Sequence, residues 1–222
     1  MNPKIKRNKK PWPTKDAMTQ IYEQHLWGTN HKPFYSGEGS HNPTLVKPYL
    51  QVVQAFLKSF KAPISVCDLG CGDFNIGKEL VKYSQKYIGV DIVESLIDYN
   101  TKYFKASNLT FLCLDIAKDD LPKADVVIVR QVLQHLSNTE IIAILEKLTQ
   151  YKYILLTEHL PNGTFAPNKD IISGQGIRIK KQSGLNILKP PFNFQIVAKK
   201  EFLSMDVGNK KGVLTTTLYQ VF

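Results

Sequence analysis

Residues 66–77 read Val66-Cys67-Asp68-Leu69-Gly70-Cys71-Gly72-Asp73-Phe74-Asn75-Ile76-Gly77, a short β-prone run that passes through a glycine turn into a stretch expected to be helical. A glycine turn between a parallel strand and a helix lets backbone N–H groups approach a ligand closely. What the stretch lacks narrows the ligand. Asn75 stands where a dinucleotide fingerprint has its third glycine, and no Gly-Lys-Ser/Thr follows, so the loop is neither that fingerprint nor a phosphate-cradling P-loop. Asp68, two positions before Gly70, suits an ammonium or a sulfonium better than a pyrophosphate.

Downstream, β-rich runs alternate with helical ones, the pattern of βαβ units and a parallel sheet. Strands are expected at 64–68, 87–91, 110–114, 124–130 and 153–157, with helices at 76–84, 94–104 and 139–149. Ser137 and Glu140 form a capping box for the last helix. Two closing strands, 194–198 and 213–222, are expected on either side of a turn at 208–212. Asp91 ends the second strand about 20 residues past the glycine loop, where a carboxylate accepts from both hydroxyls of a ribose. Ile92 beside it can cover one face of a base, and Asp115-Ile116, after the third strand, can receive an adenine amino group.

Upstream, residues 1–13 form a basic tail with Lys4, Lys6, Arg7, Lys9 and Lys10 between prolines. Residues 14–60 read as two helices around a loop. Thr14 caps the first, whose Ala17, Met18, Ile21, Tyr22 and Leu26 recur at helical spacing until Trp27-Gly28. Thr44 caps the second, with Tyr49, Val52, Val53, Phe56 and Phe60 on its apolar face and Pro48 near its first turn. Between them lies a glycine- and hydroxyl-rich loop, 34–40. Residues 61–222 form the core, with a long irregular stretch at 161–192 where specificity for a second ligand is expected.

Composition sets the outer bounds. The 222 residues are 43% hydrophobic, enough for one well-buried domain, and the net charge of +10 excludes an acidic or disordered chain. No apolar run approaches the roughly 20 residues of a bilayer span, and the basic tail has no apolar stretch behind it. The three cysteines, Cys67, Cys71 and Cys113, are odd in number and fall in stretches read as buried strand or strand end, so no disulfide framework is expected and the cytoplasm is the expected compartment. No Cys-x-x-Cys pair or finger-spaced histidine pair points to a metal.

The ordered set Asp68-x-Gly70-x-Gly72, Asp91, Asp115 and Ala124-Asp125-Val126-Val127-Ile128-Val129-Arg130-Gln131-Val132-Leu133-Gln134-His135-Leu136 resembles the successive motifs of class I S-adenosylmethionine-dependent methyltransferases. The resemblance runs from about Trp27 to the C-terminus and implies a doubly wound, mostly parallel, seven-stranded Rossmann-like sheet whose last two strands form a hairpin. It implies S-adenosyl-L-methionine as cofactor and S-adenosyl-L-homocysteine as product. Gly70, Cys71 and Gly72 would approach the methionine moiety, with Asp68 near its amino group. Asp91 and Ile92 would hold the ribose and base, and Asp115 with Ile116 the adenine. Trp27 and the segment from Tyr35 to Ser40 look like a lid over the cofactor. After the fourth strand, Arg130 would face the cofactor and Gln131 the acceptor.

Departures narrow the chemistry. Arg130-Gln131-Val132-Leu133 is neither the Asn/Asp-Pro-Pro-Tyr of base amino-methyltransferases nor a Pro-Cys nucleophile, and the acids of metal-dependent catechol-type members are absent. His135 is a candidate general base that would give the rate an acid limb near about pH 6.5. Glu158 and His159 follow the fifth strand as further candidates, and Arg178 can grip an anionic acceptor. The expected function is methyl transfer to an oxygen or nitrogen of a small polar or sugar-type metabolite. The basic tail and Lys180-Lys181 admit a second reading, an RNA or protein acceptor, and a third is a non-catalytic cofactor-binding module.

Overall fold

The computed structural model of the chain describes residues 11–208 and 212–222. Most of the basic tail and the middle of the 208–212 turn lie outside the described residues. One seven-stranded sheet organises the rest. Its strands are β1 (Ser65–Leu69), β2 (Lys86–Asp91), β3 (Leu109–Cys113), β4 (Val126–Arg130), β5 (Tyr153–Leu160), β6 (Ala198–Asp206) and β7 (Val213–Gln220), in the spatial order β3-β2-β1-β4-β5-β7-β6. The first five run parallel, while β7 is antiparallel to both β5 and β6. Chain order reverses between β1 and β4, where an open parallel sheet leaves a crevice at its carboxyl edge.

Both faces are covered, which is why β4 is a continuous apolar run rather than an alternating one. Val127 and Val129 point to a core shared with Ile141, Ile144 and Leu145 of α5 (Asn138–Leu148) and with Met18, Ile21 and Tyr22 of α1 (Thr14–Glu23). Val126 and Ile128 point the other way, to Val46, Tyr49, Val53 and Leu57. These last four belong to the helix Pro43–Lys58, which follows a four-residue turn of helix at Glu38–His41. Another helix, Glu94–Tyr103, crosses over from β2 to β3.

Several local expectations are corrected. Thr14 is the first residue of α1, after Pro13, and its hydroxyl donates to Glu140 instead of capping. Asn42, not Thr44, caps Pro43–Lys58 by accepting from the Thr44 N–H at 3.0 Å, so Pro43 takes the first helical position and Pro48 lies beyond the first turn. The segment expected to be a helix at 76–84 is two 3₁₀ turns, Gly77–Glu79 and Val81–Tyr83. Phe74 explains this: at φ 59° its ring is buried among Tyr87, Phe104 and Phe111, which turns the chain inward before an α-helix can start. The strand expected at 194–198 lies at Ala198–Asp206, because Phe194 is buried and its N–H closes the preceding loop on Ile187 O. Cys113, on the edge strand β3, is exposed.

The capping box of α5 does more than start the helix. Glu140 Oε2 accepts from the Ser137 N–H at 3.3 Å, from the Ser137 hydroxyl at 2.7 Å and from Ser173, while Oε1 accepts from Thr14. One carboxylate thus ties α1, α5 and the long loop together. Burial opposes its ionisation, but the hydrogen bonds from Ser173, Thr14 and Ser137 outweigh it and lower its pKa. Glu140→Ala is expected to lose about 1–3 kcal/mol in urea unfolding at pH 7. The loss should shrink as pH falls through the lowered pKa, since a depressed carboxylate contributes stability only above it.

Candidate active site

A cavity of about 490 Å³ opens at the carboxyl edge of the sheet, within the roughly 300–1,000 Å³ range of small-molecule sites. Its floor is the glycine loop. Gly70 N and Cys71 N both donate to Val90 O, at 2.8 and 2.9 Å, folding the chain over the end of β2. Gly70 and Gly72 have φ of 76° and 56°, and a Cβ at either would collide, with Val132 at the first and with the Ser36 hydroxyl at the second. The loop is therefore shaped by what packs on it as well as by what it can bind.

Two acids stand in the cavity wall at successive strand ends. Asp91 accepts from the Gly72 N–H at 3.1 Å and the Val93 N–H at 3.2 Å, which fixes its carboxylate while burial raises its pKa. Asp115 accepts from the Ala117 N–H at 3.1 Å and pairs with Lys118 at 2.7 Å. Gly70, Cys71, Gly72, Ile92 and Ile116 line the same space. Asp68 does not. It lies beneath the loop, where Tyr87 donates to it at 2.7 Å and burial pushes its pKa up to about 6.

The N-terminal segment closes the cavity from above. Ser36 and Asp73 exchange hydrogen bonds, Asp73 N to Ser36 Oγ at 2.8 Å and Ser36 N to Asp73 Oδ2 at 3.2 Å, and His41 Nε2 reaches the same carboxylate oxygen at 2.5 Å. Arg130 donates to Gly39 O at 2.6 Å and to the Ser40 hydroxyl at 3.2 Å, with its guanidinium 4.6 Å above the Tyr49 ring. Trp27, Ser40, Arg130 and Gln131 line the cavity. Tyr35 does not, because its hydroxyl donates to Glu38 at 2.7 Å and its ring packs 4.4 Å from that of His41.

His135 reaches the cavity from the 3₁₀ turn Leu133–His135. Its Nδ1 faces Gly174 O at 3.1 Å, a group that only accepts, so in the neutral ring Nδ1 carries the hydrogen. Nε2 then accepts from Gln134 Nε2 at 3.2 Å. Burial pushes the pKa down to about 4. A ring with one nitrogen facing Gln134 and its basicity lowered by burial is poorly suited to take a proton from an acceptor near pH 6.5.

The other acceptor-side candidates lie behind the wall. Arg178, 2% exposed, donates to Leu133 O at 3.1 Å, to Leu136 O at 2.8 Å and to Asn138 Oδ1 at 2.7 Å, so it rivets the long loop to the His135 turn and is spoken for. Glu158, 3% exposed, has no hydrogen bond to either oxygen, and burial pushes its pKa up to about 8 against the pull of Arg178. His159 gives its backbone N–H to Gln134 Oε1 at 2.9 Å. None of the three lines the cavity. Side chains not singled out as site residues from the sequence do, Met18, Gln134 and Gln175, and so does Lys180, which the sequence suggested as a contact for an RNA or protein acceptor. The α1 member was readable, since Thr14, Met18 and Tyr22 share one helical stripe, whereas nothing local marked Gln175. Among the described residues, no group of three or more His, Cys, Asp or Glu is placed to hold a metal ion, and no helix is long and apolar enough to cross a membrane.

Residues 67–151 match the family described as methyltransferase domain. The fold is similar to the crystal structure of the N-methyltransferase NodS from Bradyrhizobium japonicum WM9 with S-adenosyl-L-homocysteine (TM-score 0.65, 13% identity, 92% of this chain and 99% of that one). It is also similar to magnesium protoporphyrin IX methyltransferase from Synechocystis PCC 6803 with bound SAM (TM-score 0.58, 18% identity, 96% and 100%). A third likeness is human N-acetylserotonin methyltransferase with SAM (TM-score 0.54, 18% identity, 94% and 60%). No curated protein matches the sequence. The seven-stranded fold is the one that these methyltransferase structures share.

Glu158 gives this architecture a pH signature. Its folded pKa is raised, so between about 4.3 and 8 the native state binds a proton that the unfolded chain releases, and stability falls as pH rises. Wild-type unfolding free energy should carry a slope of about 1.4 kcal/mol per pH unit from this group. Glu158→Gln should remove that slope and gain on wild type between pH 5 and pH 8 in denaturant titrations. Parallel pH profiles would show that the carboxyl is not buried as described.

Proposed function

We propose that the chain transfers a methyl group from S-adenosyl-L-methionine to an oxygen or nitrogen of a small polar or sugar-type metabolite in the cytoplasm. One observation carries the size of the acceptor. The cavity is roofed from two sides, by the N-terminal segment and by the long loop, and Gln175 Nε2 bridges them by donating to Leu26 O at 2.7 Å. A roof held by direct bonds admits a metabolite and keeps the surface of a folded macromolecule at a distance.

The residues present fit the cofactor. Asp91 is held by two backbone donors and still has acceptor capacity toward a ribose diol. Asp115 and Ile116 suit the adenine edge and face, with Ile92 on the other side, and the Gly70–Gly72 backbone with Arg130 suits the methionine end. Bound there, S-adenosylmethionine supplies a methyl carbon already activated by a sulfonium leaving group. The chain then has to position the acceptor in line and exclude water. Trp27 and His135, with ring centroids 5.3 Å apart and planes tilted by 47°, form an aromatic wall of the cavity, and Gln131 and Gln134 offer amides to hold an acceptor's polar groups. With His135 made weakly basic by burial, an amine nitrogen that arrives neutral is served best, its proton leaving to solvent after transfer.

Calorimetry with S-adenosylhomocysteine tests the cofactor site. Asp91→Ala leaves the ribose hydroxyls unpaired, at about 1–3 kcal/mol, so binding should weaken roughly tenfold or more. Unchanged affinity would remove Asp91 from the site. The pH profile of turnover tests the acceptor side. The pH profile should have the same shape in wild type and His135→Gln, any limb from the acceptor's own ionisation being common to both, and a histidine-like acid limb confined to wild type would restore the general base.

A further inference from the structure

The long loop carries three cationic side chains in a row of four, Arg178, Lys180 and Lys181, on the 3₁₀ turn Arg178–Lys181, and they face different ways. Arg178 is buried and bonded to the His135 turn. Lys181 turns outward and donates to Asp170 O at 2.6 Å. Lys180 lines the cavity, and among the described residues its ammonium has neither hydrogen bond nor ion pair. Because Arg178 pins the turn to the segment that bears His135, the position of Lys180 relative to the reaction centre is set by buried bonds rather than by a loose loop.

The other charges of the cavity are committed. Arg130 is spent on Gly39 and Ser40, His135 is held neutral, Glu38 accepts from Tyr35, and Glu140 accepts from Ser137, Ser173 and Thr14. Asp91 and Asp115 stand at the far strand tips. The acceptor end is therefore apolar and aromatic through Leu26, Trp27 and Ile177, with one uncommitted positive charge at its rim. We propose that Lys180 selects the methyl acceptor by pairing with an anionic substituent, a carboxylate or a phosphate monoester, on a small molecule whose flat or apolar body lies against Trp27. This rests on the methyltransferase reading above and adds the acceptor's charge to it.

The test uses protein saturated with S-adenosylhomocysteine and three probes of one shape: benzoate, phenyl phosphate and benzyl alcohol. Chemical-shift titration should show both anions binding more tightly than the alcohol, and whichever anion binds tighter identifies the substituent. Lys180→Met should weaken the anions about five-fold, leave benzyl alcohol unchanged and leave the melting temperature unchanged, since the side chain is exposed and unbonded. Lys181→Met, which removes the same charge from the same turn, should leave all three affinities unchanged. Equal binding of the three probes to wild type, or equal losses in the two variants, would overturn the proposal. Failure of wild type to bind S-adenosylhomocysteine would instead overturn the cofactor reading on which it stands.

Discussion

The backbone of Gly72 is the point on which the site depends. Its N–H donates to Asp91, its carbonyl accepts from Asn100 Nδ2 at 2.7 Å, and its bare Cα makes room for the Ser36 hydroxyl. One residue thus joins the end of β2, the crossover helix Glu94–Tyr103 and the N-terminal segment. A side chain here would push off the segment that roofs the cavity, and the left-handed φ of 56° would be strained as well. Strand-tip acid, floor and roof share a single turn of chain, so the cavity is a product of the loop's geometry before it is a product of any ligand.

Behind that turn lies a layer of buried charge. Arg130, Asp68, Tyr87 and Tyr49 stand under the glycine loop, and Arg178 and Glu158 stand under the His135 turn. Burying such groups is costly unless they are bonded, and the terminal nitrogens of Arg130 and Arg178 donate to backbone carbonyls and side-chain oxygens of the two segments that border the cavity. They act as rivets. Their contribution is to hold loops at fixed distances from the strand tips, which a methyl transfer that relies on alignment requires.

The sequence made the sheet legible because its signal is local. Five short β-prone runs alternating with helical ones are what a parallel sheet produces, and Asp91 and Asp115, at or just past the ends of the second and third, came with them. The capping box at Ser137 and Glu140 was equally plain. What failed to show was decided by contacts distant in sequence. The 76–84 segment has a helical pattern, yet the burial of Phe74 against β2 and β3 overrides it. Arg178 looks like a surface grip for an anion until the loop folds under the His135 turn and buries it, while Lys180, two residues on, gains the exposed place. His135 sits where the fold puts it, but burial lowers its basicity, while Gly174, 39 residues away in sequence, and Gln134 face its two ring nitrogens. Position at the carboxyl edge follows from strand order, whereas protonation follows from neighbours that no local pattern reveals.

The central claim is that the roofed crevice between β1 and β4 moves methyl groups onto small molecules. The most direct measurement is to incubate the purified protein with methyl-labelled S-adenosylmethionine and a whole-cell extract, and then to separate label by molecular size. Label in one or a few low-molecular-weight products, lost in Asp91→Ala, is the result the account predicts. Label in RNA or protein, or turnover that survives Asp91→Ala unchanged, would contradict it.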